Sequence, residues 1–262
     1  MAEPMTYVYG IMPDPGTDAT PDVLGVGGAA VRVVREAGLA ALVSTVDAAE
    51  FGEEPLRTNL EDLQWLEATA RAHNQVLLVA APGAAVAPFG LATVYFDDDR
   101  VRALLAERSP DFTEVLRTIE GRVEWGVKAY ADLDNPALRR AGTSAVEEPA
   151  GGPGASYLRQ LRERRDSRAD AEGVAVELAG EVHDELSALA AASRVHPPQN
   201  RELAGYAGLM VLNCSYLVDE AAGEEFAAQV RALAGRNEAL EVQLTGPWPP
   251  YSFAEIRTGG EQ

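Results

Sequence analysis

Cysteine is nearly absent from this chain. Cys214 is the only thiol in 262 residues, so no disulfide can close within the chain and no all-cysteine metal site can be built. Histidine is almost as scarce. His73, His183 and His196 lie far apart, and none stands in an H-E-x-x-H or similar ligand spacing. Basic residues are outnumbered, with 22 Lys and Arg against 41 Asp and Glu. The resulting formal charge of −19 makes a phosphate-rich partner such as nucleic acid a poor fit. A neutral, basic or apolar protein surface suits it better. No stretch of about 18 apolar residues runs uninterrupted, and "MAEPMTYVYG" has no basic segment ahead of an apolar one. Neither a membrane span nor a secretory leader is expected, and a reducing cytoplasm fits.

Motifs of catalysis and cofactor binding are missing too. Cys214 sits inside the apolar stretch "GLMVLNCSYLV", where a buried core thiol is the expectation rather than a nucleophile. "GVGG", Gly25 to Gly28, falls short of G-x-G-x-x-G and reads as a turn. The acidic run Asp97 to Asp99 suits the positive end of a helix better than a cation, because three successive carboxylates point in different directions. With no identifiable nucleophile–base pair and no paired catalytic carboxylates, no catalytic residue, metal site or cofactor is assigned.

What the chain does contain is an α+β pattern in two parts. "TYVYGI" reads as a strand, and "AAVRVV" and "LAALVSTV" flank "REAG" as a hairpin. "TNLE" suggests a capping box, with Thr58 facing Glu61 and a helix running to about His73; "QVLLVAA" after it reads as an apolar strand. Two short helices follow, the first opened by the acidic run and the second by Ser109 and Pro110, with Gly121 as its stop. "RVEWGVKAY" alternates as a half-buried strand, and a domain boundary is expected just before it. This gives an N-terminal domain over 1–120 and a C-terminal one over 121–262.

In the second part a helical region spans about 155–192 and would reach roughly 55 Å if continuous. A break at Gly173 or Gly180, or a protruding arm, is therefore expected. Its start, "GGPGASYLRQLRERRDSR", joins a glycine-rich helix opening to five arginines from Arg159 to Arg168, with acidic residues interleaved. It reads either as an anion site or as a charge-laced arm packing through Tyr157, Leu158 and Leu161. A short strand near Val195, the strand "GLMVLNCSYLV", a helix marked by Phe226, Val230 and Leu233, and the strand "LEVQL" complete a ferredoxin-like order. Two α+β domains, each ferredoxin-like or a variant with an antiparallel sheet and helices on one face, are the expected fold.

The chain then meets "TGPWPPYSF", Thr245 to Phe253, with three prolines and three aromatics in nine residues. Proline excludes a helix or central strand there, so an extended, polyproline-like hook in the C-terminal domain is expected. The rings either cap a core or dock a partner. A mixed arrangement has Trp248 anchored inward and Tyr251 and Phe253 facing out.

Several segments together carry a resemblance. "TYVYGI", "NLEDLQWLEATARAHNQVLLVA", "VAPFGLATVYFDDDRVRALL", "EWGVKAY", "GGPGASYLRQLRERR", "NCSYLVDE" and "LTGPWPPYSF" look, in that order, like gas vesicle proteins of the F/L type (GvpF/GvpL), over nearly the whole chain. One departure is visible: where the family usually carries an arginine shortly after a proline, this chain reads "PFGLATVY", with Gly90 near that place. The resemblance implies two ferredoxin-like domains and a cytoplasmic accessory role in building gas vesicles. It also implies contact with the small hydrophobic shell protein A and other accessory proteins, without catalysis. Trp248, Tyr251 and Phe253 in the hook, with Tyr157 and Arg159 on the arm, are the candidate partner-binding residues. The alternative is a ferredoxin-like regulatory protein that senses a small molecule or anion at the "GGPG" helix start.

Overall fold

The computed structural model describes residues 3–17, 22–79, 84–141, 153–198 and 208–254, with the side chains of 139–141 and 153–164 left aside. The chain forms two compact units, Met1–Val123 with Trp248–Gln262, and Glu124–Pro247. Residues 248–254 thus belong with the first unit and 245–247 with the second, whereas all of 245–253 was expected in the C-terminal domain.

The first unit is built on strands β1 (Pro4–Pro13), β2 (Val31–Glu36), β3 (Leu39–Asp47), β4 (Ala87–Pro88) and β5 (Val94–Tyr95). The order is β2-β3-β1-β4, with β5 also paired to β1. Every pairing is antiparallel. The β2–β3 hairpin turns through Ala37 and Gly38 at φ 52° and 75°, the left-handed pair that a tight two-residue turn requires. The expected hairpin is therefore present.

Short helices α1 (Ala48–Phe51) and α2 (Glu53–Asn59) lead to α3 (Leu63–Val79), and α4 (Asp98–Glu107) and α5 (Ser109–Ile119) follow the sheet. On β1 the Thr6 hydroxyl reaches Asp98 at the start of α4, while its neighbour Tyr7 reaches His73 on α3. Successive strand residues point to opposite faces, so helices cover both sides of this sheet rather than one. Unbroken burial from Leu39 to Ser44 on β3 follows from that double cover. The unit is a ferredoxin-like variant with a second helical layer.

Two local expectations for this unit fail for identifiable reasons. Thr58 does not open a helix; it lies inside α2, its hydroxyl donating to the Glu54 carbonyl at 3.4 Å. Asp62 takes the capping role instead, accepting from the amides of Gln64 and Trp65 at 2.8 and 3.3 Å, as a carboxylate does at a helix N-terminus. "QVLLV" is the last turn and a half of α3, not a strand. Thr69, His73, Val76 and Leu77 form the buried face at helical spacing, while Leu78 and Val79 are exposed. A short apolar run carries no period that separates strand from buried helix.

The second unit holds β6 (Arg122–Ala131), α6 (Pro136–Ala141), α7 (Pro153–Ser187), β7 (Ala192–Val195), β8 (Leu209–Asp219), α8 (Gly223–Arg236) and β9 (Leu240–Trp248), with strand order β7-β8-β6-β9. In both units the strands stand second, third, first, fourth in chain order. That is the ferredoxin-like arrangement. Trp125 on β6 packs against Gly223 and Phe226, and Tyr216 on β8 lies 5.4 Å from Phe226, centroid to centroid.

Helix α7 runs unbroken through Gly173 and Gly180, so of the two expected forms, a break or a protruding arm, the break does not occur. Both glycines lie on its exposed side, while Ala171, Ala175, Ala179, Val182 and Leu186 form a continuous buried stripe. Packing along that stripe offsets the helix cost of glycine, about 1 kcal/mol each relative to alanine. From Arg165 to Asp170 every side chain is exposed, and among the described side chains of the helix the buried ones run from Ala171 onward.

The proline-rich segment also departs from expectation. Strand β9 continues through Pro247 and Trp248, across a cis Gly246–Pro247 bond, and the chain then forms one helical turn, α9 (Tyr251–Ala254). Pro249 and Pro250 contribute their carbonyls, accepting from the amides of Tyr251 and Phe253 at 2.8 and 3.1 Å. Proline lacks a donor but keeps its acceptor, which suits it to open a turn.

Candidate functional site

Three segments of the first unit converge on one cavity of about 340 Å³. The first is the block after β4. Phe89 donates its amide to the Tyr9 carbonyl, Val8 donates to the Thr93 carbonyl, and Thr93 closes the turn with a 2.7 Å bond to the Gly90 carbonyl. These bonds hold Pro88, Phe89, Gly90 and Tyr95 along one wall. The second wall comes from the α4–α5 corner through Leu104, Arg108 and Phe112, with the Phe89 and Phe112 rings 6.0 Å apart. The third is α9, through Tyr251, Ser252 and Ala254.

Tyr251 fixes α9 in place. Its hydroxyl donates to Asn74 Oδ1 at 2.8 Å, and its ring lies 6.2 Å from that of His73. Beneath it, Tyr7 and His73 Nδ1 are 2.9 Å apart, and the Ala92 amide donates to the Tyr7 hydroxyl at 3.0 Å. Burial pulls His73 down to about 4, against a weaker opposing effect of the Phe89 backbone, so the imidazole is neutral near pH 7. Burial pushes the Tyr7 and Tyr251 phenols well above their usual range. The cluster is a set of neutral hydrogen-bonding groups that lock α3, β1 and α9 together.

Arg108 stands at the junction of the two helices, its amide donating to the Leu104 carbonyl and its own carbonyl accepting from Phe112, each at 3.0 Å. Its side chain is 21% exposed, and Nε donates to Asp111 at 2.6 Å. It is the one formally charged residue among those lining the cavity.

Elsewhere the chemistry-bearing residues are occupied structurally. Asp97 caps α4 by accepting from the Arg100 amide, Asp98 binds Arg32 at 2.6 and 2.8 Å, and Asp99 pairs with Arg102. Burial raises the Asp98 carboxyl, but the hydrogen bonds from Arg32 and Thr6 and the charges of Arg32 and Arg102 outweigh it and leave the group below its usual range. His183 pairs with Tyr216 and His196 with Ser215, each at 2.9 Å. Cys214 is buried, and burial pushes its thiol up. Among the described residues no three His, Cys, Asp or Glu converge as a metal site would need, and no helix is long and apolar enough to cross a membrane.

Of the candidate partner-binding residues read from sequence, only Tyr251 lines the cavity. The mixed arrangement is reversed: Tyr251 is the inward anchor, and Trp248 is 51% exposed. Phe253 is half-buried beside Tyr251. Tyr157 and Arg159 lie on α7 in the other unit, with side chains outside those described, and the glycines ahead of α7 fall outside the described residues. Phe89, Leu104, Arg108 and Phe112 are not among the candidate partner-binding residues, and Gly90 stands out in sequence only as a departure from the family pattern; Phe89, Gly90 and Leu104 fall within the quoted block "VAPFGLATVYFDDDRVRALL".

Comparison with known proteins agrees with the sequence resemblance. A family model described as gas vesicle synthesis protein GvpL/GvpF matches residues 5–255. Gas vesicle protein L of Streptomyces sp. (strain CB03234) is 41% identical, the alignment covering 96% of this chain and 93% of that protein. Gas vesicle protein F of the same strain is 33% identical, over 95% and 99%. The crystal structure of GvpF from Anabaena sp. PCC7120 superposes with a TM-score of 0.71 at 19% identity, covering 99% of both chains, and so shares the fold.

Proposed function

The chain belongs to the gas vesicle GvpL/GvpF family, and we propose that within gas vesicle formation it is a non-enzymatic assembly factor. On this reading it binds the small hydrophobic shell protein A and keeps it soluble until it is incorporated, together with other accessory proteins of the cytoplasm. The observation that carries this reading is the cavity roofed by α9. It is concave and walled by Phe89, Leu104, Phe112 and Tyr251, which is the form of a pocket that takes a partner's apolar anchor. A shell subunit waiting to assemble exposes apolar surface, and a partner carrying a charge of −19 keeps such a complex dispersed. Half-exposed Trp248, at the end of β9, supplies a further aromatic contact. The higher identity to the L protein than to the F protein of one strain supports the L branch.

The test is co-expression with shell protein A. Shell protein that stays in the soluble fraction and co-purifies with this chain is the expected result. Shell protein that partitions to the insoluble fraction equally with and without the chain would remove the proposed role.

A further inference from the structure

The sheet edge beside the cavity is closed at one strand and open at the next. β4 and β5 lie one after the other along the same side of β1. Phe89 donates its amide to the Tyr9 carbonyl, so by the alternation of an antiparallel ladder its neighbour Pro88 turns its backbone away from β1. Proline has no donor to present there, and α9 lies against β4, so this part of the edge is blunted.

On β5 the same alternation has a different consequence. Val8 donates to the Thr93 carbonyl, which makes Thr93 and Tyr95 the residues bonded to β1 and directs the Val94 amide and carbonyl outward. Among the described residues neither group has a hydrogen-bond partner. The residue after β5, Phe96, is 75% exposed. An unpaired donor and acceptor, an exposed aromatic and an apolar cavity lined by Tyr95 thus stand side by side. That is the arrangement used for strand addition, in which main-chain hydrogen bonds hold a segment and a pocket takes one of its alternating side chains.

Resting on the assembly-factor reading, we propose that shell protein A docks through an extended apolar segment that adds as a strand to β5. One residue of the segment exchanges backbone hydrogen bonds with Val94. The side chain next to it falls on the face of Tyr95, which is the α4 face because Thr6, paired opposite Tyr95, reaches Asp98 there. It enters the cavity beside Leu104 and Phe112, and about 340 Å³ admits one or two large apolar side chains rather than a helix. The continuation of the segment covers Phe96. Exposed Asp97 follows Phe96, and with an overall charge of −19 it favours neutral or basic residues flanking the apolar part.

Hydrogen exchange of the full chain, read residue by residue, separates this inference from the reading beneath it. In the free chain the Val94 amide exchanges faster than that of Tyr95, because only the latter is bonded to β1. Saturating shell protein A should slow Val94 exchange at least tenfold. Two variants, each checked for an unchanged circular dichroism spectrum, are titrated with the same protein. Gly90→Leu fills the cavity: Gly90 lines it, and a Cβ there has no heavy atom nearer than Thr93 Oγ1 at 3.9 Å. Phe96→Ala removes an exposed ring that the fold does not need. Loss of binding in the first and roughly tenfold weaker binding in the second are expected. Binding that leaves Val94 exchange unchanged overturns strand addition; if Gly90→Leu still loses binding, the cavity stands as the docking site. Wild-type affinity in both variants overturns the edge and the cavity together. Should Gly90→Leu fail to fold, Val94 exchange decides. A wild-type chain that binds no shell protein A removes the assembly-factor reading itself, and this inference with it.

Discussion

Tyr251 donates a 2.8 Å hydrogen bond to Asn74, a residue 177 positions earlier in the chain. Through it the last described turn is pinned to α3, and one wall of the cavity depends on that pin. Tyr251→Phe should cost about 1 kcal/mol, the usual value of a lost hydrogen bond with its ring packing kept. Tyr251→Ala should cost about 3 kcal/mol or more, as an aromatic ring leaves a packed site. Urea midpoints of the two variants at neutral pH measure both.

His73 gives the first unit a pH dependence of known sign. Its pKa falls from 6.5 to about 4 on folding, so the unfolded chain binds the proton more readily. The stability associated with neutral His73 is complete above pH 6.5 and is lost progressively as pH falls toward 4, by about 3 kcal/mol in all. Urea midpoints between pH 7 and pH 4.5 should fall less steeply in His73→Gln than in wild type. Parallel slopes would show that other groups carry the acid sensitivity.

Gly173 and Gly180 are interior to α7 and exposed, and a Cβ added at either would meet no heavy atom within 4 Å. Alanine at either should stabilise the chain by about 0.5–1 kcal/mol, with the two effects adding. Thermal melting with circular dichroism detection checks the direction.

Gly25 is the opposite case. A Cβ there would overlap the Tyr9 hydroxyl oxygen, which is buried between Ser44 and the Val26 amide. Gly25→Ala should cost about 2 kcal/mol or more, since the hydroxyl must leave both partners to make room. Equilibrium unfolding of the variant would contradict this if the midpoint were unchanged.

The elements best read from sequence are those whose signals are local. The β2–β3 hairpin follows from two β-rich runs around Ala37 and Gly38, and α4 follows from Asp97 as cap with Asp98 and Asp99 in its first turn. Asp62 as the cap of α3 was hidden behind a Thr58–Glu61 pair that satisfies the same spacing, and only the backbone distinguishes them. The cavity was illegible for a different reason. Phe89, Arg108 and Tyr251 come from three distant stretches, and none carries a mark of the others until β1, α5 and α9 are packed. Tyr251 drew notice for its proline-rich setting, but its inward direction depends on Asn74 and His73, which sequence spacing does not connect to it.

The most direct measurement is the affinity of the full chain for shell protein A, wild type against Gly90→Leu, with Trp248→Ala as a variant outside the cavity. Binding by wild type that Gly90→Leu reduces at least tenfold and Trp248→Ala reduces only modestly is the predicted result. Equal binding by wild type and Gly90→Leu would contradict docking in the cavity.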